Sequence, residues 1–287
     1  YSKTELAGVD KAGRLIHALG HHTKADVIRM ISGDQPQIAN TTVTAKDVNN
    51  WFDIHGKDIA ALRGKSKNKA SGSRAQEVTV LSKPDQIVYA DPIEIDDRQY
   101  VLGVAKPLGL STLTPVKNIQ HRECGGALHA QMALLRDRGY HTKKLVVDRA
   151  KALIKLKGKM PNVIVDAVGA GDHVVDRTKT LKERVRCSKS VLEWNLPPSL
   201  KDDLNIYANS RTNYIPDHTS DSRDCPRVRF MERLIDEKEL DLAFGDYAEV
   251  FMKSSSDTNV TRTVPCIALY PDGNDNASWN FLKLDTW

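Results

Sequence analysis

The sequence predicts an α/β protein: a mixed five-stranded sheet flanked by helices, with an N-terminal helical region and a C-terminal small β module. Three observations carry this. The hydrophobic period changes near residue 77, from helical spacing to short apolar runs. Three such runs then follow one another before the first long helix, which argues for a mixed sheet over a purely doubly wound one. Two later runs, near 144 and 162, are separated by a helix, the arrangement that lets crossover strands lie as parallel neighbours.

Residues 1–62 read as helical. Leu6, Val9, Leu15, Ile16 and Leu19 recur at helix spacing, and Val27, Ile28, Met30 and Ile31 follow the Gly20-His21-His22 break. Thr44 caps a third helix bearing Val48, Trp51 and Phe52, with Asp47 in its first turn and Gly56 at its end. In residues 63–76 basic side chains alternate with Gly, Ser, Asn and Ala, so no face can be buried. This is an exposed basic linker, and a solvated connection is a simpler account of it than a phosphate-tracking arm.

The core spans 77–215. Its strands are 86–91, 100–105, 110–116, 144–148 and 162–168, with Asp96 and Asp97 turning between the first two. Helices are expected at 121–138 and 149–158, after Gly169-Ala-Gly171, and behind Pro197-Pro198. Residues 216–287 carry three further strands, near 248–252, 264–270 and 279–284, with turns at Ser254-Ser256 and Pro271-Asn274. The helical region and the β module are expected to be separate units.

Composition bounds the function. With 42 Lys plus Arg against 37 Asp plus Glu, the net charge is +5, which permits a polyanionic partner without demonstrating one. No apolar run reaches the ~20 residues of a membrane span, and no signal peptide is evident. The chain begins at Tyr1 rather than Met, as a piece of a longer product would. Four dispersed cysteines with no CxxC pair read as reduced thiols of an intracellular protein.

Asp91 and Asp148 each follow an apolar strand. In this order the first and fourth strands can be neighbours, so both carboxylates can meet at one edge. Converging carboxylates are what paired Mg²⁺ ions need to clamp the attacking and leaving oxygens of a phosphodiester. For either aspartate alone, a surface strand end is the commoner explanation. A third acid is expected from the helix after the fifth strand, with Asp176 and Glu183 two turns apart. That helix also carries Arg177, Lys179, Lys182, Arg184 and Arg186, either a solvated basic surface or a DNA-backbone contact.

At these residues the sequence resembles the integrase region of copia-type (Ty1/copia, pseudovirus-like) retrotransposon Pol polyproteins. Gly169-Ala-Gly-Asp-His-Val174, Asp176-Arg177 and Thr180-Leu-Lys-Glu-Arg-Val185 resemble the stretch around the family's catalytic Glu. Leu196-Pro-Pro-Ser-Leu200, Ser210-Arg-Thr-Asn213 and the run from Phe244-Gly-Asp-Tyr247 to Phe281–Trp287 resemble segments downstream. Val43–Val48 and Gly56–Lys65 resemble the pre-integrase region. Each motif is short, and their collinear order is the specific part.

The resemblance implies a ribonuclease H-like fold, a D, D, E triad and DNA integration by a Mg²⁺- or Mn²⁺-dependent polynucleotidyl transferase. It also implies DNA as partner, a homo-oligomer, and a nuclear or virus-like-particle location where the element is active. Asp91, Asp148 and Asp176 take the catalytic and metal positions. Asp176 stands where the family has Glu, on a segment shorter than the family's, and Arg149 directly follows the second acid. These departures suggest a weakened copy. The integrase zinc motif also lacks its cysteines: His17, His21 and His22 have no paired Cys nearby and are expected to be surface residues.

Two other readings compete. One is a non-catalytic nucleic-acid-binding relic of an integrase. The other, ranked lower, is a ribokinase-like sugar kinase fragment, since Gly169-Ala-Gly-Asp172 resembles an anion-binding turn at a helix N-terminus.

Overall fold

A computed structural model describes residues 1–32, 36–56, 58, 83–147, 155, 160, 162–167, 172–216, 224–232, 234–251, 263–272 and 278–284. The basic linker expected at 63–76 lies outside them, as does nearly all of the helix expected at 149–158.

Three helices open the chain: α1 (Lys3–Ala18), α2 (Lys24–Ser32) and α3 (Ala45–His55). The expected cap is present, with Thr44 and Asp47 forming a reciprocal capping box on α3 and Gly56 ending it at φ 72°. Helices α1 and α3 pack so closely that a Cβ on Gly13 would lie 2.6 Å from Trp51 Nε1. Ile16, Leu19, Val27, Met30 and Val48 form a core that also takes in Tyr214, Ile215, Cys225, Ile235 and Leu240. A short parallel pair, β1 (Ile38–Ala39) with β7 (Ile235–Asp236), stitches the same two regions together. The helices therefore do not stand apart as a separate unit. Alone they cannot bury their apolar faces, and the chain beyond 213 completes their core.

The central sheet contains β2 (Gln86–Ile95), β3 (Arg98–Lys106), β4 (Leu110–Val116), β5 (Thr142–Val147) and β6 (Ile164–Ala167), in the order β4-β3-β2-β5-β6. The first three strands are antiparallel, and β5 and β6 run parallel to β2. This is the ribonuclease H-like mixed sheet that the resemblance implies. Asp96 and Asp97, both at positive φ (52° and 62°), make the two-residue turn from β2 to β3. Paired left-handed residues match the twist of a hairpin.

Strand β2 is longer than expected. It runs past Asp91 to Ile95 because the hairpin keeps it paired with β3 up to Ile95↔Arg98. Among the described residues, the pairing with β5 runs as far as Ala90 and Val147. Pro92 comes next. It has no N–H to donate to a ladder.

One sheet face packs on α4 (His121–Asp137) through Val88, Ala90, Val101, Leu128, Leu135 and Leu145. Gly103 lets this helix approach, because a Cβ there would meet Gln131 Oε1 at 2.4 Å. The other face packs on α5 (Asp172–Ser190) and α6 (Lys201–Thr212) through Tyr100, Leu102, Val104, Val174, Leu181 and Val185. A short helix, α7 (Pro226–Met231), adds Phe230 and Met231 to the α4 side. Strands β8 (Tyr247–Phe251), β9 (Thr263–Pro271) and β10 (Trp279–Lys283) form a second, antiparallel sheet. Leu269 of β9 lies in the α6 core beside Leu204 and Tyr207, so this module also shares its core with the main sheet.

Arg211 of α6 is fully buried. Its guanidinium donates to the carbonyls of Leu242 (3.0 Å) and Glu239 (3.5 Å) and lies 4.9, 5.1 and 5.3 Å from the rings of Tyr207, Tyr214 and Trp279. Arg211→Ala should destabilise the protein by about 3 kcal/mol or more, through two orphaned carbonyls, a cavity and lost cation–π contacts. Val88→Asp, on the α4 face, should cost at least the ~1–3 kcal/mol typical of a damaged core. Chemical denaturation of the full chain measures both, and wild-type midpoints would contradict these roles.

Candidate functional site

Side chains alternate along β2, so Asp91 shares a face with Tyr89 and Ile93. That is the face on which α5 lies: Ile93 is in the α5 core, and the Tyr89 ring meets His173 of α5 edge-on at 5.2 Å. Asp91 is half-buried. It sits one residue past the last β2–β5 pair, and residue 148 follows the other member of that pair. Asp148 itself lies outside the described residues, as do Arg149 and Gly169–Gly171.

Helix α5 has three distinct sides, set by its 100° per residue. Val174, Leu181 and Val185 are buried and face the sheet. Asp176 and Glu183 lie roughly opposite that stripe. Asp176 is 75% exposed and has Lys179 Nζ 3.6 Å away. Both acids, with His173, Arg177 and Thr180, border a cleft of about 350 Å³ whose other wall includes Thr23 and Asp26 of the α2 region. Asp91 is not among the described residues lining it. The structure therefore places Asp91 on the face of the sheet that α5 covers, and Asp176 on the cleft side of α5.

The five basic residues of α5 divide. Lys179 and Arg186 are exposed and Lys182 half-exposed, and their spacing of three and four puts them along one edge of the helix. Arg177 reaches the β3–β4 turn and donates to Gly109 O at 3.3 Å. Arg184 departs from its expected place on the DNA surface. It is 6% exposed, and its guanidinium donates to the carbonyls of Gly20 (2.9 Å) and His21 (2.7 Å) and meets His22 Nδ1 at 2.6 Å. Its position on the helix is turned inward, towards the end of α1, and burial pushes its pKa down.

His21 and His22 are likewise not at the surface. Both are buried, and only His17 is exposed. A helix C-cap folds them in, and Arg184 holds the His21 carbonyl and the His22 ring. Sequence alone gives no sign of this, because the partner stands 162 residues away. Among the described residues, the group of His, Cys, Asp and Glu side chains that gathers ligand atoms in a set of three is His17, His21 and Asp58. All four cysteines are buried thiols, and burial pushes Cys225 up to about 12.

Among solved structures, the HTLV-2 integrase catalytic core domain, in complex with magnesium in a trimeric form, is similar to this chain. The match is 15% identical, covers 50% of this chain and 94% of that one, and has a TM-score of 0.39. The catalytic core domain of BIV integrase is similar at 13% identity, covering 52% of this chain and 95% of that one, with a TM-score of 0.39. No protein-family model and no curated protein matches the chain. The fold assignment rests on the sheet's own strand order and register.

Asp176→Asn should change stability by less than ~0.5 kcal/mol, as exposed pairs do. Arg184→Ala should cost roughly 2–5 kcal/mol, because two buried carbonyls lose their donor. Equal effects of the two in urea unfolding would show that one of these placements is wrong.

Proposed function

We propose that this chain is a retrotransposon integrase-like domain that binds DNA and whose two-metal phosphodiester chemistry is weak or absent. The observation that supports it most is the position of Asp91. It sits one residue past the last described pair of β2 with its parallel neighbour, on the face covered by α5, in a sheet of ribonuclease H-like order. The copia-type, Pol-polyprotein assignment adds the collinear motifs from Val43 to Trp287.

Asp91 and Asp148 are the residues that would hold Mg²⁺, the ion with which the HTLV-2 core was solved. Bound there, the metal would supply charge stabilisation to a phosphodiester in displacement. The third ligand does not fit. Asp176 is 75% exposed, its carboxylate is one methylene shorter than that of Glu, and Lys179 stands beside it. A misplacement of ~1 Å can cost on the order of 10²-fold in rate. No catalytic step is therefore assigned to Asp176. This same observation favours the second reading, a non-catalytic nucleic-acid-binding relic.

The test of chemistry is a Mg²⁺- or Mn²⁺-dependent DNA cleavage and joining assay. It compares the natural chain with Asp91→Asn, Asp176→Glu and the pair Asp176→Glu plus Arg149→Gly. The natural chain should show little or no activity, and any that exists should vanish in Asp91→Asn. Robust activity that survives Asp91→Asn would sink the assignment.

DNA binding is the property expected to persist. It should be tolerant of sequence and fall steeply with salt, since Lys and Arg displace counterions from phosphates. Charge reversal at Lys182 and Arg186 should weaken it on all sequences alike, measured by fluorescence anisotropy. No binding at low salt would count against DNA as partner. Self-association and a nuclear or particle location are further parts of the same proposal, testable by sedimentation and by imaging of a tagged chain.

A further inference from the structure

Helix α5 lies along β2, and two contacts set its register. Near its start the His173 ring meets Tyr89 at 5.2 Å, and near its end Lys189 pairs with Asp96 in the β2–β3 turn. From Tyr89 to Asp96 the strand advances roughly 23 Å, and from His173 to Lys189 the helix rises about 24 Å, so the two run side by side in one direction. Asp91, just beyond Tyr89, is therefore level with Arg177 and Thr178. The flanks of the helix part at this level. Arg177 leans to the β3–β4 turn, and the cleft beside Asp176 has Val104 and Lys106 of β3 in its wall. Helix α6, bonded to β4 through Asn209 and Asn213, covers that side of the sheet too. Thr178 and Val175 fall on the opposite flank, and the strand order puts β5 there. Thr178 Oγ1 is buried and has no hydrogen-bond partner among the described residues.

We infer that Thr178 stands where α5 would have to present a third carboxylate to a metal at Asp91, and that the candidate site is incomplete because this residue is a threonine. The inference rests on the integrase-like reading and moves the third place from Asp176, where the motif puts it, to residue 178. Asp176 is turned about 160° around the helix from Thr178. Helical side chains lean towards the N-terminus, so a side chain at 178, slightly beyond the level of Asp91, points back to it. Val175, one turn earlier on the same flank, leans past that level and is 40% exposed. Among the described side chains of α5, the carboxylates are Asp176 and Glu183, both bordering the cleft. The flank towards β5 carries Lys182 and Arg186 instead.

The Thr178 hydroxyl is not explained by the helix itself. A helical threonine commonly returns its hydroxyl to a carbonyl one turn back, as Thr180 does to Asp176 O at 3.0 Å. Thr178 makes no such bond. A buried hydroxyl without a partner costs stability, and valine has the same shape without that cost, so packing alone does not call for threonine here. A hydroxyl brings one neutral oxygen. A hard cation is held by carboxylates, and its affinity follows how many it meets, so the described residues offer Asp91 on the strand with no anionic partner on the helix. Paired ions need more than that, which is why the chemistry of this chain is weak or absent.

The experiment is titration of the full chain with Mn²⁺ alone, without DNA, by calorimetry and by the electron paramagnetic resonance of the free ion. Thr178→Glu should tighten Mn²⁺ binding at least about tenfold, and adding Asp91→Asn should abolish that gain. Thr178→Gln, of the same length without the charge, should gain nothing, and neither should Asp176→Glu. Far-ultraviolet circular dichroism shows that each variant is folded before its affinity is read, and Thr178→Asp carries the same test where glutamate is not accommodated. Separately, Thr178→Val should unfold at a higher urea concentration than the natural chain, because it removes an unpartnered buried hydroxyl. No gain in folded Thr178→Glu and Thr178→Asp, a gain that survives Asp91→Asn, an equal gain in Asp176→Glu or Thr178→Gln, or a lowered urea midpoint for Thr178→Val would overturn the inference. A gain in Asp176→Glu would do so while leaving the integrase-like reading intact. That reading is tested on its own by DNA binding, which none of these readouts uses.

Discussion

The arrangement turns on one buried guanidinium. Arg211 has no carboxylate against it among its described contacts. It is held by two backbone carbonyls and three aromatic rings. A desolvated cation is tolerated only where every neighbour supplies negative potential, and ring faces and carbonyl oxygens both do. The three rings come from different places: Tyr207 from α6 itself, Tyr214 from just beyond it, and Trp279 from β10 of the second sheet. The carbonyls belong to the segment between β7 and β8. Satisfying this one charge therefore requires the C-terminal module to dock on α6. Tyr214 also bonds Glu239, which pairs with Arg227 at 2.9 Å, so the network extends without leaving the interior.

Helix α6 is the hub for other reasons too. Asn213 makes a two-bond amide pair with the backbone of Ser111, accepting from its N–H and donating to its carbonyl, both at 2.8 Å. Asn209 bonds the same residue twice. Ser111 is on β4, the edge of the main sheet, and these amides supply the partners that a further strand would have given it. On its other flank, Asn205 donates to the Tyr100 hydroxyl of β3, and the Tyr207 hydroxyl donates to Ala18 O at the end of α1. One helix thus reads the edge strand, the sheet face, the N-terminal helices and the second sheet. This explains why the three regions share cores instead of standing as separate units.

Much of the sheet was legible in the sequence, because strand order depends on local pattern. Val88 and Ala90 alternate with Tyr89 and Asp91, and Asp96-Asp97 is a turn by composition as well as by conformation. The Thr44–Asp47 cap was legible for the same reason. The domain division was not, because Ile16 and Tyr214 are neighbours only in three dimensions. The burial of His21, His22 and Arg184 escaped for a related reason. A histidine pair after a glycine reads as a surface break, and only the distant guanidinium that reaches its carbonyls turns it inward. Asp58, which completes the histidine cluster, carries no motif at all. It is singled out by where α3 stops.

The candidate catalytic site was legible in the sequence only in part. Spacing along a helix names the residues that share a side, but not which side meets the sheet. Asp176 and Glu183 do lie on one side of α5, as their seven-residue separation requires. The side that meets the sheet is decided by Val174, Leu181 and Val185, which are apolar and fully or nearly buried. With those three at the interface, Asp176 is largely exposed and borders a cleft that Val104 and Lys106 of β3 also line, and Lys179, Lys182 and Arg186 run along another edge. Lengthening Asp176 to Glu adds about one carbon–carbon bond of reach, whereas the diameter of a helix with its side chains is roughly 10–12 Å. The rotational setting of α5, fixed by burial of its valines and leucine and by Arg184 reaching α1, outweighs the choice between Asp and Glu. Any third carboxylate for a metal at Asp91 has to come from a residue that this setting turns towards the sheet.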